Sequence, residues 1–247
     1  MTQPELLESR PEPHQRVYEA GDPDLPEELR TLLIRMLSNH LENSANPYYM
    51  DLVADLWRKG MELAPDEGTK VAYARVMAQE VEHGALTARI LASLDAPPVN
   101  QPIKQYFFHV PIDTFCDMAY FNGLGDRVGI YIGETWAQVP YAPLRNAAPK
   151  LHKDELFHTT FGMKNLRTVC STPEGLAEAN EKIKKWWPAA LDTFGRSDST
   201  FSQEYVRWGI RNEDNEALRR RYSADTRPLI EELGITVPDD LDNRRYL

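Results

Sequence analysis

The chain has 247 residues, a hydrophobic fraction of 42% and a formal net charge of −10. This length can bury one sizeable core, and the negative charge argues against binding to nucleic acid or to an anionic membrane. Cys116 and Cys170 are too few for a disulfide framework, and no apolar run approaches the roughly 18 residues of a membrane span. The sequence therefore predicts a cytoplasmic protein that does not cross a membrane.

Residues 1–25 are acidic and rich in proline, and they lack the basic start and apolar stretch of a signal peptide. We predict an extended N-terminal arm over 1–25 and a single helical domain over 26–247. The first helix is expected over 26–63, where leucines recur at helical spacing, with a break near Asn46-Pro47 because the residue before proline disfavours helix. A turn at Pro65 precedes a second helix over about 66–94.

The proline-rich stretch 95–102 is predicted to be a connection, because proline lacks a donor and clashes with a preceding helical turn. A third helix is expected over about 112–138 and a fourth from the turn at 139–143 to Thr168, with a kink at Pro149. Another helix follows Pro173 and carries Trp186 and Trp187, which are expected in the core or at a subunit contact. No strand pattern is found, so we predict an all-α four-helix bundle with extra C-terminal helices.

Two Glu-x-x-His motifs mark candidate metal ligands in the second and fourth helices. They are Glu80 with His83 and Glu155 with His158. Positions i and i+3 share one helix face, so each motif aims a carboxylate and an imidazole at one point. Di-iron and di-manganese bundles use this pairing on two helices and add one carboxylate from each of the other two. One such motif is weak evidence, but two on separate helices are specific.

Antiparallel helices bring two residues to the same depth when both are equally far from the connecting turn. Asp126 lies 29 positions before Glu155, and Asp51 lies 29 positions before Glu80. Both midpoints fall in predicted turns, which favours Asp51 and Asp126 as the two further ligands. Glu42 is the alternative to Asp51, and the sequence leaves that choice open.

Asp126 has one competitor, Glu134, whose midpoint with Glu155 falls beyond the predicted turn. Asp126 also lies in a glycine-rich stretch that contains Gly123, Gly125 and Gly129. These small residues are expected to leave room for a metal or a substrate. Asp126 is therefore the preferred third-helix ligand.

Beyond these motifs, the chain resembles the catalytic subunits of bacterial ring-1,2-phenylacetyl-CoA epoxidases, which are multicomponent di-iron monooxygenases of ferritin-like fold. The resemblance runs from about Pro26 to the C-terminus. Its most specific segments are Gln79–Gly84, Lys153–His158, Lys185–Ala190 with its Trp-Trp-Pro, and Phe194–Asp198. The first helix departs from the pattern: Ser44 stands where the family carries a glutamate, and Asp51 lies seven residues further on.

The resemblance implies a function and a set of partners. It implies a centre of two non-haem iron ions that activates O₂ to epoxidise the aromatic ring of an aryl-CoA thioester, most specifically phenylacetyl-CoA. The matched ligands are Glu80, His83, Asp126, Glu155 and His158, and the carboxylates of Glu80, Asp126 and Glu155 are expected to take part in catalysis. The implied partners are a companion ferritin-like scaffold subunit, a small accessory subunit, and an NAD(P)H-dependent reductase with a flavin and an iron–sulfur cluster, which supplies electrons.

Three rival functions share part of this pattern. A paralogous di-iron oxygenase would act on another aromatic or acyl substrate, which the altered first helix makes credible. A non-catalytic scaffold subunit would be expected to have lost ligands, whereas both Glu-x-x-His motifs are intact. A ferritin-like storage or peroxidase protein would have no need of the Trp186-Trp187-Pro188 segment.

Overall fold

A computed structural model describes residues 16–39 and 43–246 of the chain. The prediction of an all-α fold is confirmed, since the described residues form helices and show only an isolated bridge between Tyr18 and Tyr141. The α-helices are α1 (Glu27–Ser38), α2 (Pro47–Leu63), α3 (Glu67–Ser93), α4 (Phe115–Tyr120), α5 (Arg127–Glu134), α6 (Ala142–Val169), α7 (Pro173–Asp192), α8 (Thr200–Arg207) and α9 (Asn215–Glu231). Single 3-10 turns span Tyr106–His109 and Thr135–Gln138, and a π-helical segment spans Phe121–Asp126.

The starts of α2 and α3 follow capping residues of the sequence. The Asn46 side chain accepts a hydrogen bond from the backbone N–H of Tyr48 and begins α2 with Pro47 in its first turn. Asp66 caps α3 in the same way through the N–H of Thr69, at 2.7 Å. Each cap satisfies a backbone donor that has no partner inside the helix.

The break predicted near Asn46-Pro47 is confirmed, because Asn46 is extended and begins a new helix, so that the predicted first helix forms α1 and α2. The predicted third helix is a continuous series of α4, the π-helical segment and α5, which follow one another without a turn. Pro149, in contrast, lies inside α6 without ending it.

The bundle consists of α2, α3, α6 and the continuous α4–π–α5 element, with α7 packed across it. Trp186 and Trp187 on α7 are fully buried in the core, as expected. Of the predicted N-terminal arm, residues 1–15 lie outside the described chain, while Tyr18 donates its N–H to Pro140 O and accepts from the N–H of Ala142 at the turn before α6. Within the described residues, no helix combines the length and apolar composition needed to cross a membrane.

Candidate metal centre

The two Glu-x-x-His motifs face each other in the middle of the bundle. Glu80 and His83 come from α3, Glu155 and His158 from α6, and Asp126 from the end of the π-helical segment. Both imidazoles are 0% exposed. We call these five residues the Glu–His cluster.

The ligand atoms of this cluster form two overlapping groups. One contains Glu80, His83 and Glu155, and the other contains Glu80, Asp126 and His158, with the atoms of each group within 4.8 Å of one another. Glu80 is common to both groups. A carboxylate shared in this way could contribute to the binding of two ions, and di-metal carboxylate bundles take their ligands from facing helices in this manner.

Both imidazoles point Nδ1 toward the carboxylates. His158 Nδ1 lies 3.3 Å from Glu80 Oε1, 3.8 Å from Glu155 Oε2 and 4.0 Å from Asp126 Oδ2. His83 Nδ1 lies 3.6 Å from Glu155 Oε1. These distances are too long for good hydrogen bonds in most cases, yet they place every donor atom around a common space.

The Nε2 atoms of both imidazoles contact side chains that lie outside the Glu–His cluster. His83 Nε2 lies 3.1 Å from Asp154 Oδ2, and His158 Nε2 lies 3.2 Å from Gln79 Oε1. Lys150 Nζ donates to Asp154 Oδ2 at 2.7 Å. The motif spacing assigned no role to Gln79, Asp154 or Lys150, although Gln79 and Asp154 each stand directly before the Glu of a motif.

Charge around the cluster shifts two pKa values in opposite directions. Burial alone would lower the pKa of His158, but its contact with Glu80 and the nearby Asp126 carboxylate raise it overall. Burial alone would raise the pKa of Asp154, but hydrogen bonds from Lys150 and His83 lower it. Asp154 is therefore a charged acceptor at neutral pH.

The π-helical segment positions Asp126. Asn122 Nδ2 donates to Asp126 Oδ2 at 2.7 Å, one turn along the same segment. A π-helical insertion changes which face a following residue occupies, and such insertions are frequent at functional sites. The segment lies close against α6, where a Cβ on Gly162 would fall 2.2 Å from the backbone N of Gly123.

The three glycines near Asp126 make room for protein atoms. A Cβ on Gly125 would lie 2.3 Å from the Phe107 ring, and one on Gly129 would lie 3.2 Å from the Glu155 carboxylate. Gly125 and Gly129 also line the cavity that Glu80, Asp126 and Glu155 border, which agrees with the expected space, and Gly129 in addition gives the Glu155 side chain its position.

Tyr49 is a contact of the cluster that the sequence pattern did not reveal. Its hydroxyl donates to the carbonyl O of Glu80 at 2.7 Å, and Glu80 Oε2 lies 3.4 Å away. The residue is fully buried at the first turn of α2. The recurrence of buried positions Tyr49, Val53 and Trp57 at helical spacing was the signal that could have placed it.

The predicted first-helix ligand does not join the cluster. Asp51 is exposed on α2 and belongs to neither group of ligand atoms. Equal distance from a turn matches depth along the bundle but not rotation about the helix axis, and Asp51 lies two positions from Tyr49 and Val53 on the buried face. Its alternative, Glu42, lies outside the described residues. Glu134 is exposed and pairs with Arg221 at 3.0 Å.

Comparison with known proteins shows the family of the chain. The family described as "Phenylacetic acid catabolic protein" matches residues 71–245, which include both motifs and Asp126. The chain belongs to this family. A relative from Escherichia coli (strain K12), one of the subunits of its 1,2-phenylacetyl-CoA epoxidase, is 30% identical over 135 residues. That match spans 53% of this chain and 44% of the relative.

The donor set of this family member suits two first-row metal ions. Carboxylate oxygens and imidazole nitrogens are the ligands of non-haem iron and manganese, and thiolates are absent from the cluster. Each imidazole has its Nδ1 directed at the carboxylates and its Nε2 held by an acceptor, which is the usual arrangement of a ligating histidine. The residues present therefore fit a di-metal centre.

The cluster opens on a cavity of about 610 Å³. Glu80, Asp126 and Glu155 line one part of it, and aromatic rings line much of the remainder. The wall also carries Arg211, which donates to Asn215 Oδ1 at 2.9 Å and stacks on the Tyr205 ring. No described carboxylate forms an ion pair with Arg211, and burial lowers the pKa of its guanidinium.

Proposed function

We propose that this chain is the catalytic subunit of a multicomponent di-iron monooxygenase that epoxidises the aromatic ring of an aryl-CoA thioester, with phenylacetyl-CoA as the substrate. The observation that carries the proposal is the pair of ligand groups that share Glu80 and face an aromatic-lined cavity. Membership of the phenylacetic acid catabolic family and the likeness to an epoxidase subunit support the substrate class.

Two iron ions would be held by Glu80, His83, Asp126, Glu155 and His158. Such a centre, when bound and reduced, supplies the chemistry of O₂ activation. The chain's own residues orient the ligands: Tyr49 holds Glu80, Asn122 holds Asp126, and the acceptors behind the imidazoles fix both rings. Locked ligand rotamers keep the geometry of the site ready for substrate.

The residues that line the cavity favour a substrate with an aromatic part and an anionic part. Its volume is in the range of small-molecule sites, and rings such as Trp57, Phe121 and Phe194 supply apolar contact and exclude water. The guanidinium of Arg211 lines this cavity, and no acidic side chain of the described residues pairs with it. A phosphate or a thioester oxygen of a substrate is a suitable partner for this group. These features favour an acyl-CoA over a neutral hydrocarbon.

We further propose that this activity needs the partners implied by the resemblance. These are a flavin and iron–sulfur reductase that brings electrons from NAD(P)H, a companion ferritin-like scaffold subunit, and one small accessory subunit. The relative is itself one component of a larger epoxidase, which supports this part of the proposal.

The test is turnover by the purified chain, its companion subunits and its reductase with NADPH, ¹⁸O₂ and phenylacetyl-CoA. The expected product is the thioester with one labelled oxygen on the ring, identified by mass spectrometry. An iron-loaded complex that consumes NADPH but adds no label to any aryl-CoA would contradict the proposal. Labelling of another aryl- or acyl-CoA in preference to phenylacetyl-CoA would instead identify a paralogue with a different substrate.

A further inference from the structure

The residue directly before each Glu-x-x-His motif contacts the histidine of the motif on the other helix. Gln79 precedes Glu80 on α3, and Asp154 precedes Glu155 on α6. Asp154 contacts His83 of the other helix, and Gln79 contacts His158 of the other helix. Each of these two residues therefore contacts the histidine of the opposite motif. The half of the site on α3 and the half on α6 are related by approximate two-fold symmetry.

Gln79 and Asp154 also bind each other. Gln79 Nε2 donates to Asp154 Oδ1 at 2.7 Å. Because the amide N–H₂ faces the carboxylate, the amide oxygen must face His158, so the amide orientation is fixed by its two partners. A continuous chain of hydrogen bonds therefore connects His83 to His158 behind the Glu–His cluster.

The approximate symmetry is broken by the chemistry of the two acceptors. His83 Nε2 faces a carboxylate that Lys150 also binds, whereas His158 Nε2 faces a neutral amide oxygen. A carboxylate behind a ligating imidazole makes the ring a more basic ligand than a neutral acceptor does. The two imidazoles are thus unequal donors, although each has its Nε2 directed at the residue before the opposite motif.

We propose that Asp154 and Gln79 are positioning residues that make the two metal positions inequivalent. The position formed by Glu80, His83 and Glu155 binds its ion more tightly and fills first, and the position formed by Glu80, Asp126 and His158 fills second. This inference rests on the metal centre of the proposed function but not on its substrate.

The experiment is titration of the metal-free full chain with Co²⁺, whose visible absorption reports each coordination environment. Wild type is expected to bind two ions in two separate steps. Asp154→Asn is expected to weaken the first step by about 10- to 100-fold, so that the two steps merge, because one imidazole loses its charged acceptor. Gln79→Leu is expected to weaken the second step more than the first, because His158 loses its acceptor whereas Asp154 loses only one of its donors.

Glu82→Gln is the matched control. Glu82 is next to His83, is 61% exposed and contacts Lys150 at 2.9 Å, so this variant removes the same charge nearby without touching either imidazole. Both Co²⁺ steps should stay within about 2-fold of wild type, since exposed charges contribute little. If Asp154→Asn does not fold, as judged by circular dichroism, the comparison of Gln79→Leu with Glu82→Gln tests the second step alone.

Two results would overturn the inference without affecting the proposed function. They are two equal Co²⁺ steps in wild type, or equal weakening of both steps by Asp154→Asn and Glu82→Gln. Absence of Co²⁺ binding by wild type would overturn both this inference and the metal centre itself. Failure to oxidise phenylacetyl-CoA, with the two-step titration intact, would overturn only the proposed substrate.

Discussion

Asp117 and the Glu–His cluster mark two regions where the structure buries carboxylates, and their contacts differ. In the first region, Asp117 on α4 is fully buried and accepts from Lys182 Nζ at 2.6 Å, Lys185 Nζ at 2.9 Å and Trp186 Nε1 at 2.9 Å. In the Glu–His cluster, the carboxylates instead contact imidazoles, the hydroxyl of Tyr49 and the amide of Asn122. A buried acid beside protein cations is matched within the fold, and breaking that match is destabilising, whereas a group of acids around imidazoles has the donor atoms that metal ions accept.

Arg211 and Arg219 show a related contrast between an arginine that lines the cavity and one that does not. Arg211 forms no described ion pair and faces the cavity that the cluster also lines. Arg219, which is 4% exposed, instead pairs with Glu216 and contacts the carbonyl of Gly195. Arg211 is thus a cation that lines the cavity beside the Glu–His cluster without a described acidic partner, and a charged group of this kind is typical of a site that takes a ligand from solution.

The largest expected effect comes from removing a cluster carboxylate. Glu155 contacts both imidazoles, so Glu155→Ala should abolish oxygenase turnover while helical content stays near that of wild type. Turnover and far-ultraviolet circular dichroism measure the two effects. The matched control is Glu82→Ala, two residues from Glu80 on α3 and exposed, which should retain turnover. Normal turnover by Glu155→Ala would show that the cluster is not the reaction site.

Asp117→Asn should lower the stability of the fold and leave the metal content unchanged. Breaking a buried pair leaves its partners uncompensated, and because Lys182 and Lys185 reach partly into solvent the loss should be near the low end of the usual range, about 3 kcal/mol of unfolding free energy. Urea denaturation measures this loss. Metal content of the folded variant should equal that of wild type, and a loss of metal would mean that the two regions are coupled.

The pH dependence of stability should reveal Asp117. Burial alone would raise its pKa, but the bonds from Lys182 and Trp186 lower it far below its ordinary value. The stabilisation is therefore fully present above the unfolded pKa, about 3.9, and is lost as pH falls toward the folded pKa. The difference in unfolding free energy between wild type and Asp117→Asn should be constant above about pH 5 and should shrink below about pH 4. A difference that grows in acid would contradict this explanation.

A smaller effect is expected at the cavity wall. Arg211→Gln should raise KM for an aryl-CoA by about 10-fold with little change in kcat, because a charge-assisted hydrogen bond to the substrate is lost. Steady-state kinetics measure both constants. Arg196→Gln is the control, since Arg196 lines the same cavity but already pairs with Asp198 at 2.9 Å. Equal KM changes in the two variants would argue against a specific role for Arg211.

Much of the fold could be predicted from local signals. Capping residues and prolines such as Asp66 and Pro173 begin helices where the structure has them, because these signals act within one turn. The two Glu-x-x-His motifs were also predictable as facing pairs, since a spacing of three fixes a common helix face. Both inferences start from geometry within a single helix, and the facing of the two motifs adds only the known ligand arrangement of di-metal bundles.

The rest depends on contacts between helices, which spacing does not encode. The π-helical segment that positions Asp126 is associated with close packing of Gly123 on Gly162, far apart in the sequence. Asp51 has the right depth but the wrong rotation about α2, and Tyr49 takes the buried position beside Glu80. Gln79 and Asp154 could have been noticed as a repeated position, but their crossing between helices requires the packed structure.

Two metal ions in the Glu–His cluster are the centre on which the proposed activity depends. Elemental analysis of the chain produced in iron-rich medium, with and without its companion scaffold, tests their presence most directly. We predict about two irons per chain, and their loss on replacing Glu80 or Glu155 but not on replacing Asp117. No iron in either preparation of the wild-type chain would contradict the proposal and would favour a scaffold role for a chain that has kept its ligand residues.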